Sequence, residues 1–268
     1  MHPHLNTAIR AARRAATVIM RHADRLDRLS VETKGRNDFV SEVDRLAEEE
    51  IIRCIRSAYP AHAILAEESG ASGTPDAQTH QWLIDPLDGT TNYLHGFPHY
   101  AVSIAVRRGN QLEQAVVFDP VRNELFTASR GRGAQLNDRR IRVSGVSHLG
   151  DALLATGFPF RELDRLEVWL ATFRALLPRT TGIRRAGSAA LDLAYVAAGR
   201  FEGFWEFGLN PWDMAAGALL IEEAGGMVGD MRGGRDYLET GDILTANPDL
   251  YADVLRIVKD ELPRATAT

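Results

Sequence analysis

Two carboxylates three residues apart, Asp85 and Asp88, run directly into Gly89-Thr90-Thr91-Asn92, a turn able to open a helix. Aspartates supply the hard oxygen ligands that Mg²⁺ prefers, and a helix start led by glycine presents backbone N–H groups to an anion. Together they suit metal-assisted chemistry on a phosphate, because the cation commonly shares its coordination sphere with substrate oxygens. Alone, the segment reads equally well as an acidic turn after a buried strand. Other acids carry the same double reading. In Asn210-Pro211-Trp212-Asp213, Asn210 fits an N-cap, Pro211 the first helical position and Asp213 the first turn, where the helix dipole favours an acid without any metal. Asp44 also stands near an expected helix start.

These acids need elements that bring them to one place. Ile64-Leu65-Ala66 and Trp82-Leu83-Ile84 are short apolar runs ending in acids, the pattern of buried strands that deliver Glu67, Glu68 and Asp85 to one edge. Helices are expected from about His4 to His22 and from Val43 to Ala58, with Lys34-Gly35-Arg36-Asn37-Asp38 as a polar loop between them. Tyr100 to Val106, Glu113 to Phe118 and Glu124 to Ala128 read as strands joined by turns, so the first half is a helix pair on a largely antiparallel sheet. Beyond the basic segment Asn137 to Val143, helical patterns near Arg165 to Leu177, Ser188 to Ala198 and Trp212 to Ala224 alternate with short apolar stretches. A last helix is expected from Pro248 to Leu262, with a frayed tail after it. No linker or repeat separates the halves, so lobes of about 1–145 and 146–268 are expected in one continuous domain, with a site between them.

Composition narrows the function classes. The chain has 268 residues, 45% hydrophobic and 25% charged, which is ordinary globular material. Its formal net charge of -5 argues against coating nucleic acid or an anionic membrane, although a local basic patch could still contact RNA. No apolar run approaches the roughly 18 residues of a membrane span, and the N-terminal stretch lacks the apolar core of a signal peptide. Cys54 is the single cysteine, which points to the cytoplasm, and it reads as a small half-buried helix residue. His80, His95 and His99 fit no metal-ligand spacing and are expected in polar surface or turn roles.

Glu67-Glu68-Ser69, Asp85-x-x-Asp88-Gly89-Thr90-Thr91-Asn92 and Trp212-Asp213, in that order and followed by Glu222-Glu223-Ala224-Gly225-Gly226, resemble the inositol monophosphatase family. Gly133 to Asn137, Gly187 to Ala190 and Ala197 to Arg200 extend the resemblance over nearly all of the chain. Lys34-Gly35-x-Asn37-Asp38-Phe39-Val40, Ala155 to Phe160 and Gly208-Leu209-x-Pro211-Trp212-Asp213 look most like its bacterial SuhB-type branch. The resemblance implies a layered α-β-α-β-α sandwich of the fructose-1,6-bisphosphatase type and Mg²⁺-dependent, lithium-sensitive hydrolysis of phosphomonoesters.

Carried over residue by residue, the resemblance implies that Glu67, Asp85 and the Leu87 carbonyl hold one Mg²⁺, and that Asp85, Asp88 and Asp213 hold a second. A third, weaker site would use Glu67 and waters. Asp44 and Thr90 would orient the attacking metal-activated water and relay its proton, and the Gly89 and Thr90 amides would hold phosphate oxygens. Gly187, Ser188, Ala189 and Glu206 would meet the alcohol part, and Lys34 would sit in a loop that closes over the site. Arg36, and Gly96 in place of a frequently basic residue, depart from the common pattern. Inositol 1-phosphate is the favoured substrate. Fructose 1,6-bisphosphate, 3'-phosphoadenosine 5'-phosphate and histidinol phosphate remain alternatives, because relatives acting on them share the metal motif. The SuhB-type branch also implies possible assembly into the transcription antitermination machinery on ribosomal RNA. Arg139-Arg140, Arg184-Arg185 and Arg200 are the candidate contacts. A homodimer is expected by the same resemblance.

Overall fold

Helical spacing of small residues makes the first element: in α1 (Pro3–His22), Leu5, Ala8, Ala12, Ala15 and Ile19 recur every three or four residues and are buried. The computed structural model describes residues 2–28, 31–35, 38–75, 79–160 and 162–263. Strands β1 (Val31–Gly35) and β2 (Asp38–Ser41) pair antiparallel. The stretch from Lys34 to Asp38 is therefore not one loop. Val31, Thr33, Phe39 and Val40 favour extended backbone strongly enough to pair on both sides of residues 36–37, which lie outside the described residues with Arg36. Lys34 lies on β1; its side chain and the tail after residue 263 are outside the described residues. Ser41 then caps α2 (Glu42–Ala58), accepting from the Val43 N–H at 3.2 Å.

Next come β3 (Ala63–Ala66), β4 (Gly70–Ser72), β5 (His80–Asp88), the short α3 (Thr90–Leu94), β6 (Ala101–Arg108), β7 (Gln111–Asp119), β8 (Glu124–Ser129), β9 (Gly133–Leu136) and β10 (Arg139–Arg140). The eight-stranded sheet has the order β10-β9-β8-β7-β6-β5-β3-β4 and is antiparallel except where β3 pairs with β5. The remaining elements are β11 (Leu153–Thr156), α4 (Leu166–Leu176), β12 (Gly182–Arg184), α5 (Ala189–Ala197), β13 (Gly203–Glu206), α6 (Pro211–Ala224), β14 (Met227–Gly229), α7 (Tyr237–Thr240), β15 (Ile243–Ala246) and α8 (Pro248–Glu261). Five of these strands form a mixed sheet in the order β12-β11-β13-β15-β14.

Three cores stack these elements into the α-β-α-β-α sandwich. Ile19, Val43, Ile51, Trp82, Ile84 and Val102 join α1 and α2 to the outer face of the large sheet. Leu83, Ala101, Val117 and Phe126 on its inner face meet α5 and α6, which also touch Ala155, Phe204 and Ile243 of the second sheet. Trp169, Trp205, Leu244 and Val254 close the far side with α4 and α8. Unlike an ordinary amphipathic helix, α6 buries Met214, Ala215, Ala216, Ala218, Leu219, Leu220 and Ile221 in succession, because sheets lie on both sides of it. Among the described residues no helix is long and apolar enough to cross a membrane.

Two single residues depart from expectation. Cys54 is buried, with Arg10 Nε 3.3 Å from its Sγ. His99 is in the interior instead of on the surface or a turn, its ring 6.0 Å from that of Tyr195 and its Nε2 without a hydrogen-bond partner.

Candidate active site

Parallel pairing of β3 with β5 puts Ala66 opposite Ile84, so the next residues, Glu67 and Asp85, emerge side by side at the ends of both strands. The Glu67 N–H donates to the Ile84 carbonyl at 3.1 Å and holds that register one step further. Leu83 faces α5 and α6, and by alternation Asp85 does too. Strand β5 does not stop there. It continues to Asp88 through a register shift against β6, between Asp85 opposite Ser103 and Asp88 opposite Ala101. Pro86 has no N–H to give to a ladder, and a bulge is where a central strand tolerates it. Leu87 consequently packs into the core with α1 and α2 while its N–H donates to Asp85 Oδ1 at 2.9 Å.

Asp88 is locked against the start of α5. The Ser188 hydroxyl donates to its Oδ2 at 2.6 Å, and the Ala190 N–H donates to the same oxygen at 2.7 Å. The sequence places Ser188 against the substrate alcohol, whereas here its buried hydroxyl is committed to Asp88. Asp213 is in the first turn of α6, where its Oδ2 accepts the Asn210 N–H at 2.8 Å. Asp44, fully buried on α2, divides its oxygens: Oδ2 takes the Ser41 N–H at 2.8 Å and the Ser41 hydroxyl at 2.5 Å, while Thr90 Oγ1 lies 2.7 Å from Oδ1. Thr90 Oγ1 is also 3.0 Å from the Leu87 carbonyl oxygen.

Glu67, Asp85, Leu87, Asp88, Gly89, Thr90, Gly187, Ser188, Ala189, Glu206 and Asp213 all line one cleft of about 310 Å³ between the large sheet and the start of α5 and α6. Asp44 is not on that wall and reaches it through Thr90. None of His80, His95 and His99 lines it. Gly89 has φ +99°, and a Cβ there would sit 3.0 Å from the His99 carbonyl oxygen, so the turn into α3 requires glycine.

Crowded acids in a buried place hold protons too tightly. Burial first, and then Glu67, Asp88 and Asp213, raise Asp85 well above the carboxylate range. Burial and then Asp213 push Asp88 up to about 7, against the opposing bonds from Ser188 and Ala190. Burial likewise raises Asp44, opposed by its bonds from Ser41 and Thr90. An all-oxygen donor set whose members repel one another fits a hard divalent cation, whose charge would reverse each of those shifts in the ligands.

Several further residues in and around the cleft were given no role there by the motif reading. Glu48 lies one turn after Asp44 on the same buried face of α2 and accepts the N–H groups of Glu68 and Ser69, both at 2.8 Å, which fixes the segment leaving β3. Its i,i+4 spacing from Asp44 is visible in the sequence. Asn92 Nδ2 joins α3 to the loop before α5, reaching the carbonyls of His99 at 2.7 Å and Ala186 at 2.9 Å. Asp192 lines the cleft with an unpartnered buried Oδ1, and burial, Glu206 and Asp88 raise it. Of the arginines expected at an RNA contact, Arg185 lines the cleft with its guanidinium 4.7 Å from the Phe158 ring centre. Arg200 is paired with Glu124 and lies over Tyr195, whereas Arg139, Arg140 and Arg184 are exposed.

The sequence model of the inositol monophosphatase family matches residues 1–262. A Pseudomonas aeruginosa protein named Nus factor SuhB is 56% identical over 266 residues, covering 98% of each chain. The crystal structure of extragenic suppressor protein SuhB from Bartonella henselae superposes with a TM-score of 0.93 at 43% identity, over 97% of this chain and 100% of that one. Inositol monophosphatase from Anabaena (Nostoc) sp. PCC 7120 gives a TM-score of 0.86 at 38% identity, over 98% and 97% of the two chains.

Proposed function

Because the chain belongs to the inositol monophosphatase family, we propose that it is a Mg²⁺-dependent phosphomonoester hydrolase that prefers inositol 1-phosphate and works by direct attack of water. The observation that carries this reading is the meeting of Glu67, Asp85, Asp88 and Asp213 with the Gly89-Thr90 helix start in one cleft. Glu67, Asp85 and the Leu87 carbonyl would hold one Mg²⁺, and Asp85, Asp88 and Asp213 a second, with a third, weaker position at Glu67. When bound, Mg²⁺ lowers the pKa of water and offsets charge on the phosphate and on the departing oxygen.

The chain's own groups do the positioning. Thr90, hydrogen-bonded to Asp44, presents a hydroxyl that can pass a proton back to that carboxylate, whose raised proton affinity suits a base. The Gly89 and Thr90 amides face phosphate oxygens at the positive end of α3. Glu206 accepts from a hydroxyl of the alcohol, with Gly187 and Ala189 shaping the wall and Ser188 steadying Asp88. No nucleophilic side chain is required. The protein acts in the cytoplasm as a homodimer.

The name Nus factor SuhB, borne by a relative at 56% identity, favours a second reading: assembly into a transcription antitermination complex, with hydrolysis secondary. Exposed Arg139, Arg140 and Arg184 supply positive charge for such a contact. Two measurements separate the readings. Turnover of inositol 1-phosphate, fructose 1,6-bisphosphate, 3'-phosphoadenosine 5'-phosphate and histidinol phosphate with Mg²⁺ and graded Li⁺ should give the highest kcat/KM for inositol 1-phosphate, with inhibition by Li⁺. If inositol 1-phosphate ranks last, the substrate assignment fails; no Mg²⁺-dependent turnover of any would remove the enzyme reading. Asp88→Asn should lose at least about 100-fold in activity with the fold intact, since even groups behind metal ligands cost up to that much. A cellular phenotype that survives Asp88→Asn would favour the binding role.

A further inference from the structure

At the other end of β5 from the carboxylates, three imidazoles converge from separate segments. His4 comes from the first turn of α1, His62 from the turn between α2 and β3, and His80 from the first position of β5. One nitrogen from each lies within 4.8 Å of the other two. We propose that His4, His62 and His80 form a binding site for Zn²⁺ or a like transition metal, separate from the carboxylate cleft. Asp85 is five residues further along the strand, about 16 Å away at the rise of an extended chain.

The donor chemistry selects the metal. Imidazole suits Zn²⁺, Ni²⁺ and Cu²⁺, whereas Mg²⁺ takes oxygen, so the two sites sort their ions by ligand type. His80 has a carboxylate partner of the kind that fixes the ring of a metal-binding histidine. Its Nε2 lies 3.0 Å from Glu113 Oε2; with the proton on Nε2 it donates to that carboxylate and leaves the Nδ1 lone pair for a metal. His4 Nδ1 is buried with no hydrogen-bond partner, an otherwise costly state that a metal would satisfy. The rings of His4 and His80 are 4.4 Å apart, and those of His62 and His80 are 5.1 Å apart. Burial first, then His80, His2 and His62, lower His4 to about 4, and burial and His80 lower His62, so both rings are neutral donors at pH 7. Tetrahedral Zn²⁺ with nitrogens at 2.0–2.1 Å needs them about 3.4 Å apart, so side-chain closure of about 1 to 1.5 Å assembles three ligands and leaves a fourth position for water.

The His62 ring supplies a built-in reporter. Its Nδ1 accepts from Trp82 Nε1 at 3.1 Å, and a neutral imidazole has one lone pair. Coordination through Nδ1 takes that lone pair, and coordination through Nε2 puts a proton on Nδ1. Either way the Trp82 bond breaks, at an indole that is fully buried.

The test is a Zn²⁺ titration of the full chain without any polyhistidine tag, in saturating Mg²⁺, read by a competing chromophoric chelator and by indole fluorescence. One Zn²⁺ per chain should bind, with a fluorescence change that disappears in Trp82→Phe. His4→Gln and His80→Gln should each weaken binding at least tenfold while circular dichroism and Mg²⁺-dependent turnover stay unchanged. Saturating Zn²⁺ should raise the Tm of the wild type by about 5 °C, as binding linkage at a hundred times Kd requires, and leave His80→Gln unmoved. Equal Zn²⁺ uptake by the wild type and both variants would overturn the proposal. So would uptake that excess Mg²⁺ or Asp85→Asn abolishes, which would place the metal in the cleft. Because the readout is binding, absence of phosphatase activity would count against the proposed hydrolysis and leave this inference standing.

Discussion

A carboxylate has two oxygens, and the acids of this cleft use them for different ends. Asp44 closes the start of α2 through Oδ2 and engages Thr90 through Oδ1, and Asp213 takes the Asn210 N–H while its charge raises Asp88. The helix-cap and site roles of these residues are therefore compatible, and the cap fixes the rotamer that the site needs. Glu206 is held differently, by a missing side chain: a Cβ on Gly157 would lie 1.8 Å from Glu206 Oε1. Gly157 is not in the left-handed region, so alanine fits its backbone and the carboxylate must move instead. Gly157→Ala should raise KM for inositol 1-phosphate about tenfold, roughly 1.4 kcal/mol of binding, with kcat changed much less. Steady-state kinetics on the folded variant check this. An unchanged KM would remove Glu206 from the substrate contacts.

Elements set where those side chains stand, and α2 shows how one helix serves two parts of the site. Asp44 and Glu48 share a face, so Asp44 backs Thr90 while Glu48 receives two N–H groups from the segment carrying Glu67. Glu48→Gln keeps the shape but turns an NH₂ toward one of those donors. It should cost about 1.5 to 3 kcal/mol, the range for hydrogen bonds to a charged group, and raise the Mg²⁺ concentration for half-maximal activity. Chemical denaturation and a Mg²⁺ activation curve measure the two effects; stability lost with unchanged Mg²⁺ dependence would confine Glu48 to a structural role. The helices and the central strands were legible because their periodicities are long, whereas the layer order was implied by the family resemblance and the acids were singled out through its motifs. The bulge in β5 was not, since alternation cannot show where a register shifts, although Pro86 in a central strand is its trace. The β1–β2 pair hid behind a polar, glycine-containing stretch, and the His4, His62 and His80 group hid because its members lie on three segments far apart in the chain.

For the whole molecule, the decisive feature is that α5 and α6 belong to both sheets at once. Their buried residues pack against Leu83, Val117 and Phe126 on one side and Ala155, Phe204 and Ile243 on the other, so neither sheet keeps its inner face covered if the other unfolds. Ser103 Oγ reaches the Trp212 carbonyl at 3.0 Å, and Ser188 Oγ reaches Asp88 at 2.6 Å, tying the starts of both helices to the large sheet. Chains above about 150 residues commonly unfold through intermediates, yet this arrangement predicts one transition despite the chain's 268 residues. Two buried indoles can report it independently, Trp82 in the core with α1 and α2 and Trp205 in the core with α4 and α8. In urea, the fluorescence of a variant that keeps Trp82 alone (Trp169→Phe, Trp205→Phe, Trp212→Phe) and of one that keeps Trp205 alone (Trp82→Phe, Trp169→Phe, Trp212→Phe) should each match that variant's own circular dichroism midpoint. Mg²⁺ should raise all midpoints together, because the proposed ligands come from the large sheet and from α6. Separate midpoints for the two probes, or Mg²⁺ stabilisation confined to one of them, would show that the two sheets are independent folding units.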